Sequence, residues 1–416
     1  MLLNYLKIAF KVLLRRKFFT AISLFGIGFT LTAILVVAAL ADSVLAPLTP
    51  EVNLDRTLQV WWMMVSQTTN GLTRQMSGSA GYAFLDRYVR DLPGVEKMSI
   101  ASDPFPATRY VEGRTETWTM RTTDGEYWEI LRFDFLEGGP LTQEDERSGN
   151  RVAVISEAAR RAFFGDRPAL GGSVDLDGQR YRVVGVVRNV NLLRVSAAAD
   201  VWAPHSTRKS QDFRQFHFAG EFSALLLARS RADFPRIKAG FRSRLELAKS
   251  QEGFEALLGT PETRLEMLAS AMQRKDDAEP PIGALIWQST GALLLFMLLP
   301  TLNLVSINMS RILERASEIG VRKAFGASAG HLVGQFILEN IFLCLVGGVL
   351  ALGGTAVVLH GIGQSGLVPH LDVRLNYRVF LIALGVACFF GVLSGALPAW
   401  QMSRLHPVRA LRGGAR

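Results

Sequence analysis

Cysteine is scarce in this chain: 416 residues hold only Cys344 and Cys388, both inside apolar runs. Two thiols so placed supply neither a disulfide framework nor a metal-ligand cluster. The six histidines are scattered, and no pair has the close spacing of a helical metal site. No phosphate-binding loop of the form Gly-x4-Gly-Lys-Ser/Thr occurs, so nucleotide hydrolysis by that route is excluded. A Gly-x-Ser-x-Gly stretch does occur from Gly326 to Gly330. A nucleophile elbow needs a strand before it and an acid, then a histidine, after it. Here a helix stop at Gly326 and an N-cap at Ser328 account for the same residues. Leu, Ile, Val and Phe abound throughout, which excludes intrinsic disorder.

Basic residues are concentrated in three short segments, two of which lack any acid, and that concentration locates the net charge of +9. Residues 1–17, 311–323 and 404–416 together carry thirteen basic and two acidic residues, so the rest of the chain nets −2. Each segment flanks an apolar run, the positive-inside pattern of a membrane protein. Nucleic acid would call for a basic face on a folded domain, and none is apparent. Nucleic acid is therefore not an expected partner.

What the sequence has in quantity is long uncharged stretches. A bilayer core about 30 Å thick needs roughly 20 helical residues. Residues 18–41, 282–310, 340–359 and 379–403 carry no charge over 24, 29, 20 and 25 residues. Ala39-Leu40-Ala41 resembles a signal cleavage site, but the apolar stretch before it exceeds the roughly 7–15 residues of a signal core. Four spans put both termini on one side, and the basic segments make that side cytoplasmic. Residues 42–281 then lie outside as one domain, 311–339 return inside, 360–378 form a short outer loop, and 404–416 form an inner tail. Residues 1–17 read as an amphipathic helix at the lipid interface, with Leu2, Leu6, Phe10 and Leu13 opposite Lys7, Lys11 and Arg15. The expected fold class is a membrane α-helical protein of four transmembrane helices, with a large α+β extracytoplasmic domain inserted between the first and second spans.

Within that domain, residues 57–65 read as a strand and 82–92 as a helix. A strand at 152–155 leads into a helix at 157–164 stopped by Gly165. Two short strands flank Asp177-Gly178, a strong hairpin signal. Residues 222–228 read as a strand, and 234–258 and 261–273 as helices. The strand-rich middle reads as a second lobe inserted into the outer one. Trp61, Trp62, Trp118, Trp128 and Trp202 read as core rather than a ligand cage. Asn303 and Asn308, near Pro300, read as packing groups between helices, with a hinge or transport role as the alternative. Gly347, Gly348, Gly353, Gly354, Gly391 and Gly395 read as sites of close helix contact.

The cytoplasmic stretch from Arg311 to Asn340 is the most specific part of the chain. As a helix it aligns Glu314, Glu318 and Arg322, with Glu318 and Arg322 in the favourable i,i+4 order. Ile319, Val321, Ala324 and Phe325 give it more apolar surface than a solvated loop helix needs, which implies a docking partner.

The run from Glu318 to Ser328 (EIGVRKAFGAS) strongly resembles the signature of FtsX/MacB-like ABC-transporter permeases. Pro398-Ala399 and the run from Leu405 to Arg412 are similar to that family's closing motif. Val154-Ile155-Ser156, Phe163-Phe164-Gly165, Leu176-Asp177-Gly178 and the run from Tyr181 to Val187 resemble its MacB-type periplasmic core domain.

The resemblance implies a permease subunit in a bacterial inner membrane, with the large domain periplasmic. It implies no enzymatic activity of its own and no cofactor on this chain, with ATP and Mg held by a separate ATPase subunit, two copies per assembly. Glu314, Glu318, Ile319, Gly320, Arg322, Lys323, Phe325 and Gly326 become the ATPase-coupling residues. Further implied partners are a second permease, identical or paralogous, a periplasmic adaptor, and membrane lipid. The implied work is mechanotransmission: ATP-driven movement carried to the periplasm to export a peptide, lipopeptide, lipoprotein or drug-like molecule. The alternative is a non-transporting FtsX-like regulator that activates a periplasmic partner such as a cell-wall hydrolase.

Overall fold

The computed structural model describes residues 17–69, 72–111, 113–273, 279–314, 329–365 and 377–403. In chain order the first elements are α1 (Lys17–Leu45), β1 (Thr57–Val60), β2 (Met63–Thr69), β3 (Leu72–Gly78), α2 (Tyr82–Tyr88) and β4 (Val95–Ser102). Next come β5 (Phe105–Val111), β6 (Arg114–Thr123), α3 (Glu126–Ile130), β7 (Phe135–Gly138), α4 (Gln143–Ser148), β8 (Val152–Ser156) and α5 (Glu157–Phe164). Then follow β9 (Ser173–Leu176), β10 (Gln179–Val187), β11 (Val201–Pro204), β12 (Phe222–Ala228), α6 (Phe234–Glu252) and β13 (Ala256–Gly259). Four helices complete the described residues: α7 (Arg264–Gln273), α8 (Ile282–Glu314), α9 (Ala329–Gln364) and α10 (Tyr377–Ser403).

The chain divides into two compact units, one made of Met1–Asp42, Ile286–Leu367 and Val373–Arg416, the other of Ser43–Leu285 with Val368–Asp372. The first unit is helical. Ile27, Leu31 and Leu35 of α1 bury against Leu343, Cys344 and Ala351 of α9 and Ala383 and Ala387 of α10. Large apolar side chains such as Phe25, Val357 and Ile382 point outward instead, the reverse of a water-soluble bundle. Among the described residues, three segments are long and apolar enough to cross a membrane: Thr20–Leu45, Ile337–Gln364 and Tyr377–Ser394. Within the 33-residue α8, Ile282–Leu298 forms a shorter apolar segment. Glu339 and Asn340, at the edge of the third expected span, are buried at 3% and 1% exposure rather than reaching toward water.

The second unit is α+β. A ten-stranded sheet runs in the order β1-β12-β4-β6-β11-β8-β10-β7, with β5 on β6 and β9 on β10. The strand-rich middle is thus continuous with the outer strands rather than a separately inserted lobe; Ala101 of β4 pairs with Thr123 of β6 at the join. The period-2 alternation of a strand explains the layering. Along β12, Ala224, Leu226 and Ala228 face a core with Phe84 of α2 and Ile237 and Phe241 of α6. Leu225 and Leu227 face the opposite core, with Tyr127, Trp128 and Trp202. β8 alternates likewise, Val152 and Val154 into that same core and Ala153 and Ile155 into a third with Phe163 and Val183. Its neighbour β10 runs parallel, connected through α5. Such two-sided burial requires an unbroken apolar run, which is what Val152–Ile155 supplies.

Local signals act as expected at several places. Ser156 caps α5 through its side chain, and Gly165 ends it at φ 56°. Asp177 and Gly178 turn the β9–β10 hairpin, both at positive φ. Two expectations change. Residues 57–65 are two strands in different sheets: β1 joins the ten-stranded sheet, while β2 pairs with β3 and β13 in a three-stranded one. The unbroken apolar run Val60–Val65 hides the crossing at Trp61 and Trp62. The helix expected over 234–258 stops at Glu252, because Gly253 takes the left-handed conformation at φ 70°, and Ala256–Gly259 then pairs with β2.

Two buried polar groups stitch β4 to its neighbours. Burial raises Asp124 to about 7 although Ser99 Oγ (2.6 Å), Ile100 N–H (2.9 Å) and Tyr127 N–H (3.0 Å) all donate to it. Burial lowers His205 to about 3; its ring nitrogens lie 2.9 Å from Thr122 Oγ1 and 2.9 Å from Ile100 O. An ordinary aspartate titrates near pH ~3.9, so the unfolded chain loses this proton first and stability falls as pH rises from ~4 to ~7. The histidine acts oppositely: stability falls as pH drops from its ordinary ~6.5 toward its lowered value. The two slopes oppose each other in mildly acidic solution. Asp124→Asn removes one of them, so its thermal midpoint should climb with pH between ~4 and ~6.5 more steeply than the parent's. Superimposable pH profiles in a melting series would show that Asp124 titrates normally.

Candidate functional site

The helical unit is assembled through glycines. A Cβ built on Gly347 would lie 2.6 Å from Ile27 Cγ2, one on Gly348 2.7 Å from Leu384 Cδ1, and one on Gly354 2.8 Å from Thr32 Oγ1. One on Gly391 would meet Cys344 Sγ at 2.7 Å. Four of the expected close-contact glycines therefore let α9 approach α1 and α10. Gly353 is the exception, with nothing within 4 Å, and Gly395 lies outside the described side chains. Of the eight expected coupling residues, Glu314 is the last residue of α8. Glu318, Ile319, Gly320, Arg322, Lys323, Phe325 and Gly326 lie outside the described residues. Helix α9 begins at Ala329, directly after Ser328.

In the α+β unit the structure brings together residues that the sequence scatters widely. Glu51 follows shortly after the end of α1 and is 2% exposed. Its Oε2 lies 3.4 Å from Arg194 Nη1, and its Oε1 accepts from Arg264 Nη2. Arg194 Nη1 also donates to the Ala46 carbonyl at 2.6 Å. Arg264 is the first residue of α7, the last described helix before α8. One carboxylate thus ties the segment that enters this unit from α1 to the helix from which the chain leaves it. Arg194 and Arg264 are themselves 4% and 6% exposed.

The clasp continues into the sheet. Arg264 Nη2 donates to Ser196 Oγ (2.8 Å), which donates to Gln59 Oε1 of β1 (2.6 Å). Gln59 Nε2 reaches Ser223 Oγ of β12 at 3.2 Å. Arg121 of β6 holds the carbonyls of Ser196 (2.9 Å) and Val195 (2.8 Å), and Tyr127 O–H donates to Ser196 O at 3.0 Å. Burial lowers the Arg264 guanidinium and Glu51 opposes that shift, with Arg194 and Arg121 adding to it. An interior ion pair of this kind enforces one geometry more than it adds stability, and removing one partner leaves buried charge exposed to an apolar surround.

A larger cleft of about 320 Å³ lies elsewhere in the same unit, lined by Phe105, Leu176, Tyr181, Arg208, Lys209 and Phe213 among others. The Arg208 guanidinium sits 5.3 Å from the Phe105 ring centroid and 5.1 Å from that of Phe222, and its Nη2 donates to Glu221 at 2.9 Å. Of the five tryptophans expected in the core, Trp202 and Trp128 are buried in one core with their rings 6.1 Å apart, Trp118 packs against another, and Trp61 and Trp62 are only half-buried. No group of three metal-ligating side chains occurs among the described residues.

The family model described as the MacB-like periplasmic core domain matches residues 20–244, and the FtsX-like permease C-terminal domain matches residues 290–407. The chain belongs to the MacB/FtsX-like family of ABC transporter permeases. It is 24% identical over 99% of its length to the uncharacterized ABC transporter permease YknZ of Bacillus subtilis, covering 99% of that protein. It is also 24% identical to the macrolide export ATP-binding/permease protein MacB of Wolinella succinogenes, covering 99% of this chain but 61% of that relative's length. The periplasmic region of MacB from Actinobacillus actinomycetemcomitans aligns with 53% of the chain and 94% of that structure at 16% identity, with a TM-score of 0.37. The permease therefore joins a MacB-like α+β domain to helices long and apolar enough for a membrane.

Sequence reasoning missed Glu51, Arg194 and Arg264. One signal was available: Arg194 is the lone charge in the run from Asn189 to Ala199, where a solvated loop would carry more. Its partners stand 143 positions away at Glu51 and, through that carboxylate, at Arg264. No local pattern encodes such a distance. Glu51→Gln should destabilise the permease's α+β unit by about 3–5 kcal/mol, since it strands buried guanidiniums. Chemical denaturation followed by tryptophan fluorescence measures this, and a loss below ~1 kcal/mol would mean the clasp is solvated.

Proposed function

We propose that this permease converts ATP-driven closure of two separate ATPase subunits into movement of its periplasmic domain. In this reading four spans place both termini in the cytoplasm and the α+β unit outside, between the first and second spans. The stretch from Glu314 to Gly326 docks on the ATPase: Glu318, Arg322 and Lys323 supply charge, and Ile319 and Phe325 fill an apolar groove. Gly320 and Gly326 allow close approach and a helix stop. The nucleotide and its Mg stay on the ATPase. A second permease, identical or paralogous, completes the assembly, and a periplasmic adaptor extends it.

The observation that carries the reading is the Glu51 clasp. Force arriving along α1 or α8 is useful only if the segments where the chain enters and leaves the outer domain move as one body. Glu51, held by Arg194 and Arg264 and continued through Ser196 and Gln59 into the sheet, supplies that rigidity. Helix length supports it too. At 29 and 33 residues, α1 and α8 extend about 44 and 50 Å, longer than a bilayer core of about 30 Å. The movement acts outside the membrane, and the material moved is a peptide, lipopeptide, lipoprotein or drug-like molecule, the last in keeping with the macrolide export named for MacB.

Paired substitution of the docking stretch tests this. Glu318→Arg with Phe325→Ala should leave the α+β unit's melting unchanged while abolishing stimulation of the co-purified ATPase and any export. Full stimulation in the double variant would reject the docking assignment. An assembly that activates a cell-wall hydrolase and exports nothing would replace export with the regulatory role.

A further inference from the structure

The cleft of about 320 Å³ lies where three parts of the α+β unit meet: the β5–β6 hairpin, the β9–β10 hairpin and the segment that follows β11. Its walls are tied to one another without any ligand. Asp177, in the β9–β10 turn, accepts at Oδ1 from Thr108 N–H (2.8 Å) and Thr108 Oγ1 (2.7 Å), and its own N–H donates to the Thr108 carbonyl at 2.8 Å. Gln179 Nε2 donates to the Thr207 carbonyl (3.1 Å), while its Oε1 accepts from Tyr181 O–H (3.0 Å). A preformed concavity with an apolar lining and a few polar groups is the usual form of a small-molecule site.

Phe105, Leu176, Tyr181 and Phe213 supply the apolar surface, and the positive charge sits on Arg208 and Lys209. The Arg208 guanidinium is fixed among three rings, its Cζ 5.3, 5.6 and 5.1 Å from the centroids of Phe105, Phe213 and Phe222. Its ion pair among the described residues is to Glu221, whose side chain is 68% exposed. Water screens such a pair, so the guanidinium retains attraction for a second anion. Lys209 is exposed and has no acidic partner among the described residues. Asp177, the acid on the lining, is already engaged by Thr108.

We propose that this cleft binds a small organic anion: a carboxylate held by Lys209 and Arg208, carrying an aromatic or branched apolar body that lies against Phe105, Leu176, Tyr181 and Phe213. An organic cation would meet two positive groups and find Asp177 bonded elsewhere. Inorganic phosphate or sulfate would leave the apolar wall unmatched. A free aryl carboxylate and the C-terminus of a peptide ending in an aromatic residue present the same chemistry. The cleft lies wholly within the α+β unit, so binding there is independent of the docking stretch and of any ATPase.

The test uses the full chain in nanodiscs of zwitterionic lipid, with saturation-transfer NMR titrations at matched ionic strength and empty nanodiscs as the blank. 3-Phenylpropionate and N-acetyl-L-phenylalanine should bind saturably. Phenethylamine, which reverses the charge, and acetate, which lacks the ring, should not. The tighter of the two acids identifies the source, the first a free aryl carboxylate and the second a peptide C-terminus. Lys209→Glu should weaken both acids by about tenfold or more, since it replaces a charge-assisted contact with repulsion. Arg236→Glu, the same charge reversal at an exposed site on α6, should leave them unchanged. The proposal is overturned if neither acid saturates, if phenethylamine binds as tightly as 3-phenylpropionate, or if the two variants bind the acids equally.

Discussion

One carboxylate, that of Glu51, sits between two guanidiniums drawn from distant parts of the chain, and it holds the segments by which the chain enters and leaves the α+β unit in one geometry. Taking three ions out of water is costly, and their mutual attraction offsets that cost only in good geometry. The arrangement is therefore poorly explained as a stabiliser. It is well explained as a registration device, because Arg194 also grips the Ala46 carbonyl and Arg264 also grips Ser196. A hydrophobic contact in the same place would tolerate sliding. A hydrogen-bonded charge cluster does not, since each ångström of displacement strands a buried ion.

The same logic of close, specific contact governs the helical unit by a different chemistry. No hydrophobic driving force separates helix from lipid inside a bilayer, so packing and backbone approach decide which helices meet. Gly347 against Ile27 and Gly391 against Cys344 bring α9 within backbone reach of α1 and α10. Outward-facing Phe25, Val357 and Ile382 leave the perimeter apolar, as a lipid environment requires. One unit thus relies on shape and the other on buried charge, and each suits the medium expected around it.

Much of this was legible in the sequence because the signals are local. Charge-free runs, caps such as Ser156, and the Asp177-Gly178 turn each report on a few neighbouring residues. The resemblance carried by residues 318–328 and by the strands around Val154 and Val184 pointed to the family. What escaped was non-local. The strand from Met63 follows Thr57–Val60 with no turn signal between them, yet it belongs to another sheet, as its pairing with β3 and β13 reveals. Strands such as β6, with its sequence RTETWTMRTT, carry too much charge and threonine to stand out by hydropathy. The clasp was hidden for the same reason, since three charged residues far apart in sequence look like ordinary surface.

Movement of the outer domain in response to nucleotide on a partner is the claim on which the functional account turns. Spin labels at Tyr110, an exposed position on β5 at 77% exposure, would report it in the assembled complex with Cys344 and Cys388 replaced. Pulsed electron-resonance distances between this label and one on the second permease should shift between nucleotide-free and ATP-trapped states, and the shift should disappear when the Glu51 clasp is broken. A distance distribution unchanged by ATP in an assembly with active ATPase would contradict the account.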